Sequence, residues 1–144
     1  MTVRALPFLL AGSALAASVA HGQEGAQIVA GDGAQVEVPS GQEVTLQDVV
    51  WNVPGPEGMT LRFRFVAPGI AEGGGVDFET AAVDMQALCD GYALPRVAEF
   101  GPMPAQIVIS LAAAPVEFGA PAPEIKQYFE SYSIADGACI WEMF

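Results

Sequence analysis

Two cysteines constrain this chain more than any other feature, because Cys89 falls at the end of its one amphipathic helix and Cys139 in its final strand. Their chemistry depends on the compartment, and the opening residues speak to that. Arg4 is followed by an apolar run over positions 5–20, broken only by Pro7, Gly12, Ser13 and Ser18. A short positive region, an apolar core and small residues at Ser18 and Ala20 read as a secretory signal over residues 1–22, cut before His21 or Gln23. No cysteine follows the apolar core to take a lipid, so the expected location is periplasmic or secreted. In an oxidising compartment an even cysteine pair in a small domain is usually a disulfide; two buried free thiols and a metal pair are the alternatives. Closing a loop of about 50 residues stabilises by ~4 kcal/mol on chain-entropy grounds. The spacing is far from Cys-x-x-Cys, which removes a thioredoxin-like redox role.

The remainder is enough for one packed domain, expected over residues 36–144 behind a flexible mature N-terminus at 23–35 in which Ile28 and Val29 could add a weak strand. An apolar content of 52% argues against disorder, and 16 glycines with 11 prolines argue for many turns between short elements. All 17 acidic residues lie beyond the leader, opposed there only by Arg62, Arg64, Arg96 and Lys126. Such a surface repels phosphate backbones and anionic lipid, so nucleic-acid binding and membrane association are not expected. After the leader, the longest apolar stretch, 107–116, is interrupted by Ser110 and falls short of the ~20 residues a spanning helix needs.

Residues 60–66 read most clearly as a strand. Leu61, Phe63 and Phe65 alternate with Arg62 and Arg64, so one face is buried and the other carries both guanidinium groups. A strand at 43–51 should pair with it as a hairpin across a loop at 52–58, since Pro54 and Pro56 do not suit a central strand. Gly73, Gly74 and Gly75 read as a hinge before a helix over 77–90 capped by Asp77. There Phe78, Ala81, Ala82, Met85, Leu88 and Cys89 form a stripe, Gly91 is the stop, and Pro95 prevents resumption. Residues 106–111 look like an interior strand with a short partner at 116–118. A short helix is expected at 124–130, and Ala135-Asp136-Gly137 joins a final hairpin. The order β-β-α-β-(α)-β-β predicts an α+β fold: an antiparallel sheet with one main helix packed on one face, tied by a Cys89–Cys139 disulfide.

The catalytic vocabulary is thin. His21, the one histidine, sits at the cleavage site, which removes histidine-based hydrolysis and histidine-containing zinc sites. Asp32, Asp77 and Asp136 are too isolated to form a calcium loop, so no metal and no cofactor is expected. Glu117 and Glu142 have the most apolar neighbours among the acids and would be the pair for carboxylate-dependent hydrolysis, against a plainer reading as outward edge residues. Trp51, Trp141, Tyr92, Tyr128 and Tyr132 suit a core or rim better than a sugar platform. The unusual charged feature is Arg62 with Arg64. Two guanidinium groups on one strand face of an acidic chain can receive a carboxylate ligand or an acidic partner segment. Otherwise they pair with acids on neighbouring strands, Glu43 and Glu142 being possible on spacing.

From about position 38 to 144 the chain resembles a family of small exported alphaproteobacterial proteins with no assigned function. The likeness is carried by Trp51-Asn52-Val53-Pro54-Gly55-Pro56-Glu57-Gly58, Leu61-Arg62-Phe63-Arg64-Phe65, Asp77-Phe78-Glu79-Thr80-Ala81-Ala82, Leu88-Cys89-Asp90, Pro104-Ala105-Gln106-Ile107-Val108-Ile109-Ser110 and Cys139-Ile140-Trp141-Glu142. The resemblance implies no catalytic residues. Members are sometimes labelled acetolactate synthase, but a thiamine-diphosphate enzyme requires cofactor-binding and pairing domains far larger than this chain. The reading is a non-enzymatic exported domain that binds a protein or a small carboxylate ligand in the cell envelope, with Arg62 and Arg64 as its ligand-binding residues. A carboxylate-dependent hydrolase of envelope glycans and a structural subunit of a larger assembly are the rivals.

Overall fold

The structure is a computed structural model that describes residues 25–143; the expected leader at 1–22 lies outside the described residues. Six strands form one sheet in the spatial order β1 (Gln27–Ala30), β2 (Thr45–Gly55), β3 (Gly58–Val66), β4 (Gln106–Ala112), β5 (Gln127–Ala135) and β6 (Ala138–Glu142). One face is covered by helix α1 (Phe78–Leu88), which continues as a π turn (Cys89–Ala93) and a 3-10 helix (Leu94–Glu99). The fold is α+β, as expected, with Ile28 and Val29 inside β1 at the sheet edge.

The sheet is not purely antiparallel. β3 and β4 run parallel, with Phe63 opposite Ile109 and Arg62 opposite Val108, while every other neighbouring pair is antiparallel. The connection between β3 and β4 carries α1 across the sheet and returns the chain to the end where β3 began, as a parallel pair requires. β4 is then central, buried along its whole length, which explains its nearly unbroken apolar sequence.

Four further expectations are corrected. Residues 127–130 begin strand β5 instead of ending a short helix: Ile125, Tyr128 and Phe129 match a helical period over too few turns, and the backbone of β4 needs a partner. Residues 116–118 are irregular because β5 occupies the position beside β4 that they were expected to take. β2 runs through Pro54 to Gly55 and turns only at Pro56 and Glu57. The proline is tolerated because β1 pairs only with Asp48 to Trp51, so β2 beyond that point is an edge. Gly91 does not end the helical segment either; the chain tightens past it, and Pro95 sits in the first turn of the 3-10 helix, where a missing N–H costs nothing.

The core lies between α1 and the sheet. Leu61, Phe63 and Phe65 of β3 meet Ile107, Ile109 and Leu111 of β4, roofed by Ala81, Met85, Leu88 and Cys89. The ring of Phe63 stands edge-on to Tyr92 and Phe100 at 6.2 and 5.8 Å between centroids. Cys89 and Cys139 form a disulfide with their Cα atoms 6.1 Å apart, joining the end of α1 to β6. Asp136 and Gly137 both have positive φ, 51° and 72°, the backbone that a two-residue hairpin between β5 and β6 needs.

Asp77 caps α1 by accepting the Thr80 backbone N–H at 2.8 Å, and that hydrogen bond holds its carboxyl below the ordinary value of 3.8. A depressed carboxyl contributes stability above its unfolded-chain value and loses it as pH falls through the folded one. Asp77→Ala is therefore expected to melt below the wild type at pH 7. The gap should narrow steadily as pH drops below 3.8, which thermal melts at a series of pH values check.

Candidate functional site

Alternation along the strands sends Thr60, Arg62 and Arg64 of β3 to the face away from α1. The register brings Val108 and Ser110 of β4, Phe129 and Ser131 of β5, and Glu142 of β6 to that same face. This open face carries buried polar side chains, among them Thr60, Arg64, Gln106, Ser110 and Ser131.

The two arginines, equivalent in sequence, have different surroundings. Arg64 is 7% exposed; its Nε lies 3.4 Å from Asp48 Oδ1, and its guanidinium donates to the Val116 carbonyl. The side chain of Gln47 grips the same residue, donating to the Val116 carbonyl at 2.7 Å, so residues 116–118 are held against β2 and β3. Burial raises the Asp48 carboxyl above its ordinary value, and the Arg64 charge pulls it partly back. Arg62 has no ion pair and no side-chain hydrogen bond among the described residues. Its guanidinium lies 6.0 Å from the ring centre of Phe118 and 5.7 Å from that of Phe129, and its Nε is buried without an acceptor. Burial first, and the Arg64 charge second, lower its pKa from the ordinary arginine value. The group stays charged, half-buried and without a counter-ion among the described residues.

Arg62 borders two cavities. The larger, about 680 Å³, is lined by Pro54, Glu57, Arg62, Gln106, Ser131 and Glu142 among others. The smaller, about 320 Å³, lies toward Arg64, Glu117, Phe118 and Phe129. Glu43 and Glu142 are not the partners of the arginines; they accept from Gln35 and Ser133 respectively, and Asp48 takes the role they were expected to play. A turn expected at 52–58 hid Asp48, since the register that sets it opposite Arg64 follows only from a turn at Pro56 and Glu57. Glu117 and Glu142 line different cavities, so they do not form an acid pair across one cleft.

The aromatic residues singled out in the sequence make no platform here. Tyr92, Tyr132 and Trp51 belong to the core or its margin, and Tyr128 stands edge-on to Phe78 at 5.2 Å. Burial, with Glu130 and then Asp90 adding to it, drives the Tyr132 hydroxyl well above its ordinary value. The half-exposed Trp141 donates its indole N–H to Glu130 on the helix side. The rings that flank Arg62, Phe118 and Phe129, carry no signal in a sequence whose residues 116–118 read as a short strand and 124–130 as helix. Among the described residues no three His, Cys, Asp or Glu side chains converge as metal ligands would, and no helix is long and apolar enough to cross a membrane.

The profile of the Family of unknown function (DUF6497) matches residues 13–144. No curated protein and no solved structure matches the chain.

Proposed function

From a chain that belongs to the DUF6497 family of unknown function, with no assigned chemistry to inherit, we propose an exported, non-enzymatic domain that binds a carboxylate-bearing ligand on the open face of its sheet. The single observation that carries this is Arg62. A structural arginine in a protein interior is neutralised, as Arg64 is by Asp48. Arg62, half-buried, instead has no ion pair among the described residues, with aromatic faces around it, a buried Nε without an acceptor, and an open side onto a cavity of about 680 Å³. That volume lies within the usual range for small-ligand sites. A carboxylate arriving there can take two parallel N–H bonds and restore the charge balance that burial has disturbed. The leader read over residues 1–22 and the disulfide in a small domain support a role in the cell envelope.

Arg62→Met keeps the apolar stem against Phe118 and Phe129 and removes the guanidinium. Calorimetric titration with N-acetylalanine is expected to give saturable binding to the wild type and at least tenfold weaker binding to the variant, the usual scale for losing one charge-assisted contact. Equal affinity in the two proteins would remove Arg62 from the site. N-terminal sequencing of native material is expected to begin at His21 or Gln23, and an intact Met1 would contradict export.

A further inference from the structure

The cation and an acid stand at opposite ends of one straight row across the sheet. Arg62 is opposite Val108, Val108 opposite Ser131, and Ser131 opposite Glu142, and all four line the larger cavity. Building on the carboxylate reading of Arg62, we infer that the groove takes a short zwitterionic peptide, its free α-carboxylate on Arg62 and its free α-ammonium on Glu142. Three inter-strand spacings separate the two ends, about 14 Å between Cα atoms. An extended peptide covers about 3.4 Å per residue, so four residues span that row. Arg62 leans across β4 toward the Phe129 ring on β5, so its guanidinium reaches over the sheet toward the strands that follow. The ligand is therefore three to four residues long.

Two features of the floor fit a peptide rather than a generic dipolar molecule. Gln106 and Ser131 line the same cavity, are nearly covered, and make no side-chain hydrogen bond among the described residues. An amide with a hydroxyl beside it offers both a donor and an acceptor to a peptide bond lying over Val108. Glu142 is preset by the Ser133 hydroxyl, which donates to its Oε1 at 2.6 Å and leaves the other carboxylate oxygen for an ammonium group. Glu57 lines the same cavity and adds to the negative potential there.

The test compares trialanine, N-acetyl-trialanine and trialanine amide on the wild type, Arg62→Met and Glu142→Gln by calorimetry. Blocking either end of the peptide is expected to weaken wild-type binding about tenfold or more. Glu142→Gln should abolish the penalty for acetylation and keep the penalty for amidation; Arg62→Met should do the reverse. Glu142→Gln keeps an acceptor for Ser133, and an unchanged melting temperature confirms that it folds. If N-acetyl-trialanine binds the wild type as tightly as trialanine, the zwitterion is wrong and the carboxylate site stands. The zwitterion is equally wrong if N-acetylalanine binds through Arg62 and no tripeptide does. If neither N-acetylalanine nor any tripeptide binds, both readings fall.

Discussion

A Cys89→Ala/Cys139→Ala double variant is expected to melt roughly 15 °C below the wild type while keeping its fold. The bridge joins positions 50 apart, and a cross-link of that span restrains the unfolded chain by ~4 kcal/mol. For a domain of this size a kilocalorie moves the melting point by about 4 °C. Folding survives because the junction has other ties. The Asp90 carboxylate accepts the Cys139 backbone N–H at 2.8 Å, and the Gln86 amide donates to the Cys139 carbonyl at 2.9 Å. Those bonds also cover the outward edge of β6 where an unpaired strand would invite another chain. Circular dichroism melts with and without reductant measure the effect; a shift under about 3 °C would mean that the hydrogen bonds alone hold the helix to the hairpin.

The second large effect is expected at Asp84, a fully buried carboxylate on α1. It accepts the Ser40 backbone N–H at 2.9 Å, the Ser40 hydroxyl at 2.5 Å and the Gln42 side-chain amide at 2.7 Å. These bonds pin residues 38–42 across the helix and hold Val44 against the core. Asp84→Ala removes the acceptor of all three donors, although Ser40 is itself exposed and water can reach its donors, and is expected to cost about 2–3 kcal/mol. Asp84→Asn retains one acceptor oxygen and should cost less. Urea titration checks this through a lower midpoint at an unchanged slope, and hydrogen exchange should show the Val36 N–H, which donates to the Val44 carbonyl at 2.8 Å, opening first. If Asp84→Ala costs no more than Asp84→Asn, the three donors have found other partners and the account of this junction is wrong.

Nothing in the sequence marked Asp84, because its acceptor role depends on a loop more than forty positions earlier reaching over the helix. Where a signal is local, the sequence was legible. The alternation of Leu61, Phe63 and Phe65 placed β3 and its two faces, Asp77 announced α1, and Asp136-Gly137 announced the β5–β6 hairpin. The disulfide also followed, given an even pair and an expected exported address. Long-range pairing was not legible. The parallel join of β3 to β4 depends on where the crossover returns, and four residues of β5 looked helical because Tyr128 and Phe129 stand at a helical spacing from Ile125. The site divides the same way. Both arginines were visible on one face, but which of them would be neutralised depended on the β2–β3 register that sets Asp48 beside Arg64.

That unequal pair is the centre of the functional account, and one measurement addresses it directly. Proton–nitrogen spectra of the arginine Nε–H groups, recorded while N-acetylalanine is added at constant ionic strength, should show the Arg62 signal moving downfield to saturation while the Arg64 signal, already held beside Asp48, stays in place. Equal movement of both signals, or no movement of Arg62 beyond that caused by chloride, would contradict a carboxylate site on the open face.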